Sequence, residues 1–257
     1  MRYITGSINL NSKDGALLEI VGTATRITHR QLFEMAQLKR IETERRVYDW
    51  RVRRLVTHAL LKRDRTLFCG SDPVYTITRS GVRGMEQLGI HLLSVYIEPE
   101  DDDIDHQVQH SVELNRIHLA LLRSGVLARW TPAKFLQALN LAAPFDYAKY
   151  YDAIATLRMG NERIDLAIEY EHTLKRPAER YAAVRTKIER EKRADAVLFV
   201  TPTPALSLSL RSQFRDVRKT VLFVQLQDLD SQRLQATVDY NYLSMTLGEA
   251  LQRTLER

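Results

Sequence analysis

Four carboxylates and one lysine fall where phosphoryl-transfer chemistry would need them. The stretch from Arg163 to Lys175 reads R-I-D-L-A-I-E-Y-E-H-T-L-K. In an extended strand, side chains alternate between two faces, so Ile164, Leu166, Ile168 and Tyr170 share one face and Asp165, Ala167, Glu169 and Glu171 the other. A Mg²⁺ ion takes one or two carboxylates and completes its shell with water and phosphate oxygens. Asp152 and Glu169 would suffice as its ligands, Glu113 would support them, and Lys175 would offset charge developing on phosphorus. The alternative is a half-buried strand with a solvated acidic face.

These residues converge only if the right elements carry them. Tyr150 to Leu157 reads as a strand holding Asp152, and Met159-Gly160-Asn161-Glu162 as the turn that pairs it antiparallel with the strand from Arg163. Glu113 sits in the middle of a predicted helix, His106 to Leu122, that stops at Ser124-Gly125. Trp130-Thr131-Pro132 opens a short helix. A helix from Ala178 to Lys192 follows, then a buried apolar strand from Ala196 to Val200, a helix over 205–214 and another apolar strand over 221–226. Residues 243–257 read as a last helix. This order predicts an α/β layer structure with a mixed central sheet. His106 and His110, at i and i+4, lack a third ligand pattern and read as a solvated helix flank.

Charge marks a second function upstream. The chain of 257 residues carries a net charge of +6, and residues 26–65 alone hold twelve basic against five acidic side chains, a surplus of seven. Such a local surplus is the electrostatic footprint of a nucleic-acid-binding module. Within it, Thr28 caps a predicted helix to about Arg40, and Thr43 precedes a long amphipathic helix marked by Tyr48, Val52, Leu55, Val56, Ala59 and Leu60. Leu67-Phe68-Cys69 and Val74 to Ile77, with Gly70-Ser71-Asp72-Pro73 between them, predict a hairpin. Helix, helix, hairpin, helix is the order of a winged helix-turn-helix, which lays one helix in the major groove of double-stranded DNA. Arg45, Arg46, Arg53 and Arg54 are the candidates for base reading or phosphate clamping. Lys62, Arg65 and Arg79 are candidate phosphate contacts.

The expected organisation is α+β overall. It comprises an N-terminal arm (1–24), a winged-helix domain (25–97), an acidic linker (98–105) and an endonuclease-like α/β domain (106–257). One cysteine, Cys69, excludes an internal disulfide framework and a multi-cysteine zinc site. No stretch approaches the ~20 apolar residues of a membrane span, and the N-terminus lacks a signal pattern, so a cytoplasmic protein is expected.

Y-D-A-I at 151 and E-Y-E at 169 resemble the PD-(D/E)XK, or restriction-endonuclease-like, superfamily. Asp152 matches its strand Asp, Glu169 its acidic position and Glu113 its helix Glu, whereas Glu171 stands where its lysine would be. With V-Y-T-I-T-R-S-G at 74, H-S-V-E-L-N-R-I at 110 and E-Y-E-H-T-L-K at 169, most of residues 25–227 resembles the replication-relaxation family of plasmids and mobile elements. That resemblance implies DNA binding linked to replication, mobilisation or transcription control. The basic segment, together with Glu171 in the lysine's place, favours a nuclease-like domain that serves dimerisation, docking or a second DNA contact. Candidate partners are double-stranded DNA, a second copy, and a relaxase or replication protein to which no motif points. The competing expectation is a Mg²⁺-dependent endonuclease or nickase using Asp152 and Glu169; otherwise no cofactor is expected.

Overall fold

Helix α1 (Ser12–Ala24) begins where Asn11 and Asp14 cap one another. The Asn11 side chain accepts the Asp14 N–H at 3.1 Å, and Asp14 accepts the Asn11 N–H at 2.9 Å. This reciprocal cap satisfies two donors that a helix start leaves open. The computed structural model describes residues 8–95, 104–142, 147–174, 179–240 and 243–256. Residues 12–24, expected within an arm, are thus corrected to a core helix that buries Leu17, Leu18, Ile20 and Val21. The glycines of this helix permit close packing: a Cβ at Gly15 would stand 2.7 Å from Ile90 Cδ1.

The chain divides into two compact units, Met1–Asn115 and Arg116–Arg257. In the first, α1 is followed by β1 (Ile27–Thr28), α2 (His29–Leu38), α3 (Arg45–Thr57), β2 (Leu61–Asp64), β3 (Val74–Ile77) and α4 (Arg79–Gln87). The strands form an antiparallel sheet in the order β1-β3-β2. The hairpin strand expected at 67–69 lies earlier: Leu61 is buried and pairs with Ile77, whereas Leu67 and Phe68 are exposed. α3 has Glu44, not Thr43, at its N-cap.

Of the acidic stretch 98–105, residues 98–103 lie outside the described residues, and 104 and 105 open α5 (Ile104–Arg123). The division between units falls beyond it because the first half of α5 is bound into the first unit. Asn115 Nδ2 donates to Arg26 O at 2.7 Å, and Gln31 Nε2 donates to Val112 O at 2.7 Å.

The second unit continues from Arg116 through β4 (Leu127–Pro132), α6 (Ala133–Ala142), β5 (Ala153–Met159), β6 (Glu162–Tyr170), α7 (Glu179–Arg190) and β7 (Ala196–Thr201). Then come α8 (Pro204–Gln213), β8 (Thr220–Gln225), α9 (Leu226–Gln232), β9 (Thr237–Tyr240), β10 (Leu243–Thr246) and α10 (Leu247–Leu255). Its seven strands lie in the order β10-β9-β8-β7-β6-β5-β4. The pairs β6–β7 and β7–β8 are parallel, joined through α7 and α8, and the remaining pairs are antiparallel. Parallel neighbours need such long crossovers. Ile154, Ala167, Val197, Phe199 and Phe223 form one cluster with Tyr181 and Ile188 of α7 and Leu210 of α8. Ile164, Leu166 and Ile168, on the other face of β6, are buried as well. A solvated acidic face is therefore excluded for the upper part of β6.

Two expectations are corrected in this unit. Residues 127–132 are a strand that precedes α6, and the expected last helix begins only at Leu247, after β10. Among the described residues no helix is long and apolar enough to cross a membrane.

The first unit is tied together by a buried ion cluster. Asp14, fully buried, receives Arg51 Nη1 at 2.8 Å and also pairs with Arg54 Nη2. Arg51 Nη2 lies 3.5 Å from Glu42, which Lys13 reaches at 3.3 Å. Burial works to raise the Asp14 pKa, but the Asn11 N–H and the guanidinium groups of Arg51 and Arg54 together hold it below the usual range. Removing one partner of a buried pair strands the others, so Asp14→Asn is expected to cost about 3 kcal/mol of stability by chemical denaturation. A depressed carboxylate pKa stabilises the fold above the unfolded value, about 3.9, and that contribution is lost as pH falls through the lower folded value. The variant's stability should consequently change less over that acid range than the wild type's.

Candidate nucleic-acid interface and strand carboxylates

Helix α3 turns Tyr48, Arg51, Val52 and Leu55 inward. Its opposite side presents Arg46, Trp50, Arg53 and Thr57, all exposed, at i, i+4, i+7 and i+11. That spacing makes a single stripe. Trp50 stands 55% exposed in its middle, with the Arg54 guanidinium 5.0 Å from its ring centroid. Arg45 Nε donates to Asp49 Oδ1 at 2.9 Å and its guanidinium lies over Phe33.

A cleft of about 450 Å³ runs between α3 and the sheet, with Arg53 and Thr57 on one wall and Arg63 and Tyr75 on the other. His29 sits at its base, where its ring nitrogens meet Tyr75 Oη at 3.0 Å and Asp49 Oδ1 at 2.9 Å. Burial lowers the His29 pKa, and Asp49 only partly opposes it. Lys62, Arg65 and Arg79 are exposed, Lys62 with its Nζ 3.4 Å from Asp64.

The structure thus sorts the basic residues. Arg46 and Arg53 face solvent on the stripe, and Arg45 flanks it. Arg54 is different, for its guanidinium is committed to Asp14 and to the Asn9 carbonyl at 3.2 Å. It holds α3 onto α1 and backs Trp50. Trp50 and Arg63 were missed from sequence. Trp50 was legible as the residue between Arg46 and Arg53 on one helical face, whereas Arg63 needed the true position of β2.

In the second unit Asp152 directly precedes β5. Its N–H donates to Ile168 O at 3.1 Å, and its Oδ2 accepts the Tyr170 N–H at 2.8 Å. Because Ala153 pairs with Ile168, the next position in register sets Asp152 opposite Glu169, on one face of the hairpin. Glu169 is 3% exposed and Glu171 5%. Glu169 Oε1 is paired with Lys149 Nζ.

Lys149 is positioned by Glu191, a buried carboxylate that accepts the N–H groups of Ala148 at 2.9 Å and Arg193 at 2.7 Å. The Tyr151 ring lies 5.3 Å from the same ammonium. Burial, with Glu191 and Glu169 nearby, pushes the Tyr151 phenol well above its ordinary value, and its hydroxyl makes no hydrogen bond of ordinary geometry among the described residues. Glu113 is buried on α5 in the first unit, and Lys175 lies outside the described residues.

Among the described residues no group of three or more His, Cys, Asp or Glu side chains comes together to hold a metal ion. Asp152 Oδ2 takes the Tyr170 N–H and Glu169 Oε1 the Lys149 ammonium. The positive charge beside Glu169 is supplied by Lys149, a residue that spacing alone had not singled out.

No family model and no curated protein matches the chain. Among solved structures it is similar to the restriction endonuclease FokI bound to DNA, at 10% sequence identity and a TM-score of 0.26. The alignment covers 88% of this chain and 45% of that one, so the chain spans less than half of FokI's length.

The Lys149–Glu169 pair makes a direct test. Lys149→Met leaves a carboxylate buried without its cation and is expected to cost about 3 kcal/mol. Adding Glu169→Gln removes the stranded charge and should recover most of that loss, giving a coupling energy of about 1–3 kcal/mol in a double-mutant cycle. Strictly additive losses would show that the pair contributes nothing.

Proposed function

We propose that the chain is a double-stranded DNA-binding protein that reads its site with α3. The reading is carried by the Arg46–Trp50–Arg53–Thr57 stripe, a cationic, hydrogen-bonding and aromatic face on one exposed helix. The element order α1-β1-α2-α3-β2-β3 and the sheet order β1-β3-β2 support a winged helix-turn-helix, with α2 and α3 as the helix pair and β2–β3 as the wing. In this arrangement Arg46, Arg53 and Thr57 contact base edges or phosphates, and Lys62, Arg63 and Arg65 contact the backbone flanking the groove.

The second unit serves as a restriction-endonuclease-like scaffold for docking or dimerisation. The β5–β6 hairpin with Asp152 opposite Glu169 supports that likeness. Glu171 in place of a lysine, and the closed Lys149–Glu169 pair, favour a scaffold over a cutting centre. The proposed role on a plasmid or other mobile element rests on the short motifs at 74, 110 and 169 that resemble replication-relaxation proteins, and on no family match.

Fluorescence anisotropy with labelled duplexes from the chain's own upstream region, titrated against salt, tests the DNA reading. Arg53→Ala and Arg46→Ala should each weaken binding by about 1–3 kcal/mol. A residue on a phosphate lowers the salt slope by about one, whereas a base contact relaxes sequence preference. Arg54→Ala should instead lower thermal stability first, because it releases Asp14. Equal weak binding to every duplex, untouched by the Arg46 and Arg53 changes, would sink this reading.

A further inference from the structure

Trp50 brings to the α3 stripe a chemistry that its arginines lack. It is 55% exposed, between the exposed Arg46 and Arg53 on the same helical face. Its orientation is set from one side. The Arg54 guanidinium lies 5.0 Å from the ring centroid, and that guanidinium is itself bound to the fully buried Asp14 and, at 3.2 Å, to the Asn9 carbonyl. A cation held against one face of an indole favours the arrangement. The ring is thus covered on the Arg54 side, and its solvent-facing surface lies away from it.

The Trp50 Nε1–H has no hydrogen-bond partner among the described residues, and the guanidinium groups of Arg46 and Arg53 have neither an ion pair nor a hydrogen bond there. The indole therefore presents an N–H donor beside bare ring carbon, flanked by two uncommitted cations.

In duplex DNA the bases are stacked face to face, so a side chain in the major groove meets their edges. Those edges carry donors and acceptors, and among the four standard bases one apolar group: the thymine 5-methyl, next to the O4 acceptor. Cytosine has an N4 donor where thymine has O4, and the purine edges carry no methyl. Thymine alone joins an apolar group to an acceptor, which is the complement of ring carbon joined to an N–H.

We propose that Trp50 is a specificity-determining residue that reads a thymine in the major groove, its ring against the 5-methyl group. The inference rests on the DNA reading of α3 and adds to it the base that the centre of the stripe selects.

The test starts with duplexes selected by the full chain from a randomised pool. In the tightest of them each thymine is replaced in turn by deoxyuridine, and binding is followed by anisotropy. Deoxyuridine keeps the base pair and O4 and loses only the methyl, so the protein is unaltered and its folding does not enter. At one or two thymines the replacement should weaken binding about fourfold, the worth of one buried methyl. Trp50→Ala, an exposed change that should leave thermal unfolding nearly unchanged, should bind the thymine and deoxyuridine duplexes equally. Arg53→Ala should weaken both and keep their ratio.

Binding that depends on Arg53 yet ignores every deoxyuridine replacement would overturn the proposal and leave the α3 reading in place. A deoxyuridine effect that persists in Trp50→Ala would overturn it as well. Loss of self-association in Trp50→Ala without any deoxyuridine effect would assign the indole to a second copy of the chain instead. A pool from which no sequence is selected would remove the α3 reading itself, so the two failures are told apart.

Discussion

A single buried carboxylate sets the geometry of the first unit. Asp14 closes the capping box of α1 with one face of its carboxyl group and gathers two arginines of α3 with its lone pairs. An ion in a dry interior is costly unless its remaining hydrogen-bonding capacity is used. Asp14 meets that condition only when α1 starts at Ser12 and α3 presents Arg51 and Arg54 to it. The pairing therefore fixes the rotation of α3 about its own axis. Once Arg51 and Arg54 point inward, residues 46, 50, 53 and 57 must point outward together.

The second unit repeats the device with a different cation. Glu191 uses its oxygens on the N–H groups of Ala148, Arg193 and Ala194, so the chain before β5 is pinned across the end of α7. Lys149 follows in that pinned segment, and its ammonium reaches Glu169. Each carboxylate thereby satisfies what the other leaves exposed to a low-dielectric interior, one with backbone donors and one with a charge. Asp152 accepts the Tyr170 N–H in the same spirit, using a side chain where the ladder between β5 and β6 ends.

Much of this framework was legible from local pattern. Tyr48, Val52 and Leu55 fall on one helical face, and α3 buries them. Ala196 to Val200 is a continuous apolar run, and it is the fully buried strand β7. Met159-Gly160 marks a turn, and Gly160 there takes φ +63°, a value few side chains tolerate. What escaped had no local signature. α1 carries two glycines, which weaken a helix on propensity alone, and what favours it is distant in sequence: Leu88 and Ile90, after α4, pack at Gly15, and Leu92 and Met85 at Gly22. β4 is a half-exposed edge strand ending in Pro132, where proline is tolerated and alternation is weak. Arg54 looked like part of a basic surface, because its partner Asp14 lies 40 residues away.

The candidate site shows the same division more sharply. The facing of Asp152 and Glu169 could be anticipated because a strand's period of two and a turn's composition are readable over a dozen residues. Lys149 was not, because its placement depends on Glu191, 42 positions later in the chain. The distinction matters for chemistry. A tethered ammonium beside a buried carboxylate is present at high effective concentration whatever the ion content of the medium. It carries one charge rather than two and holds no water in its coordination shell, so it cannot turn water into a nucleophile as a divalent ion does. The ammonium thus balances Glu169 itself, the one acidic side chain of β6 that faces Asp152 across the hairpin.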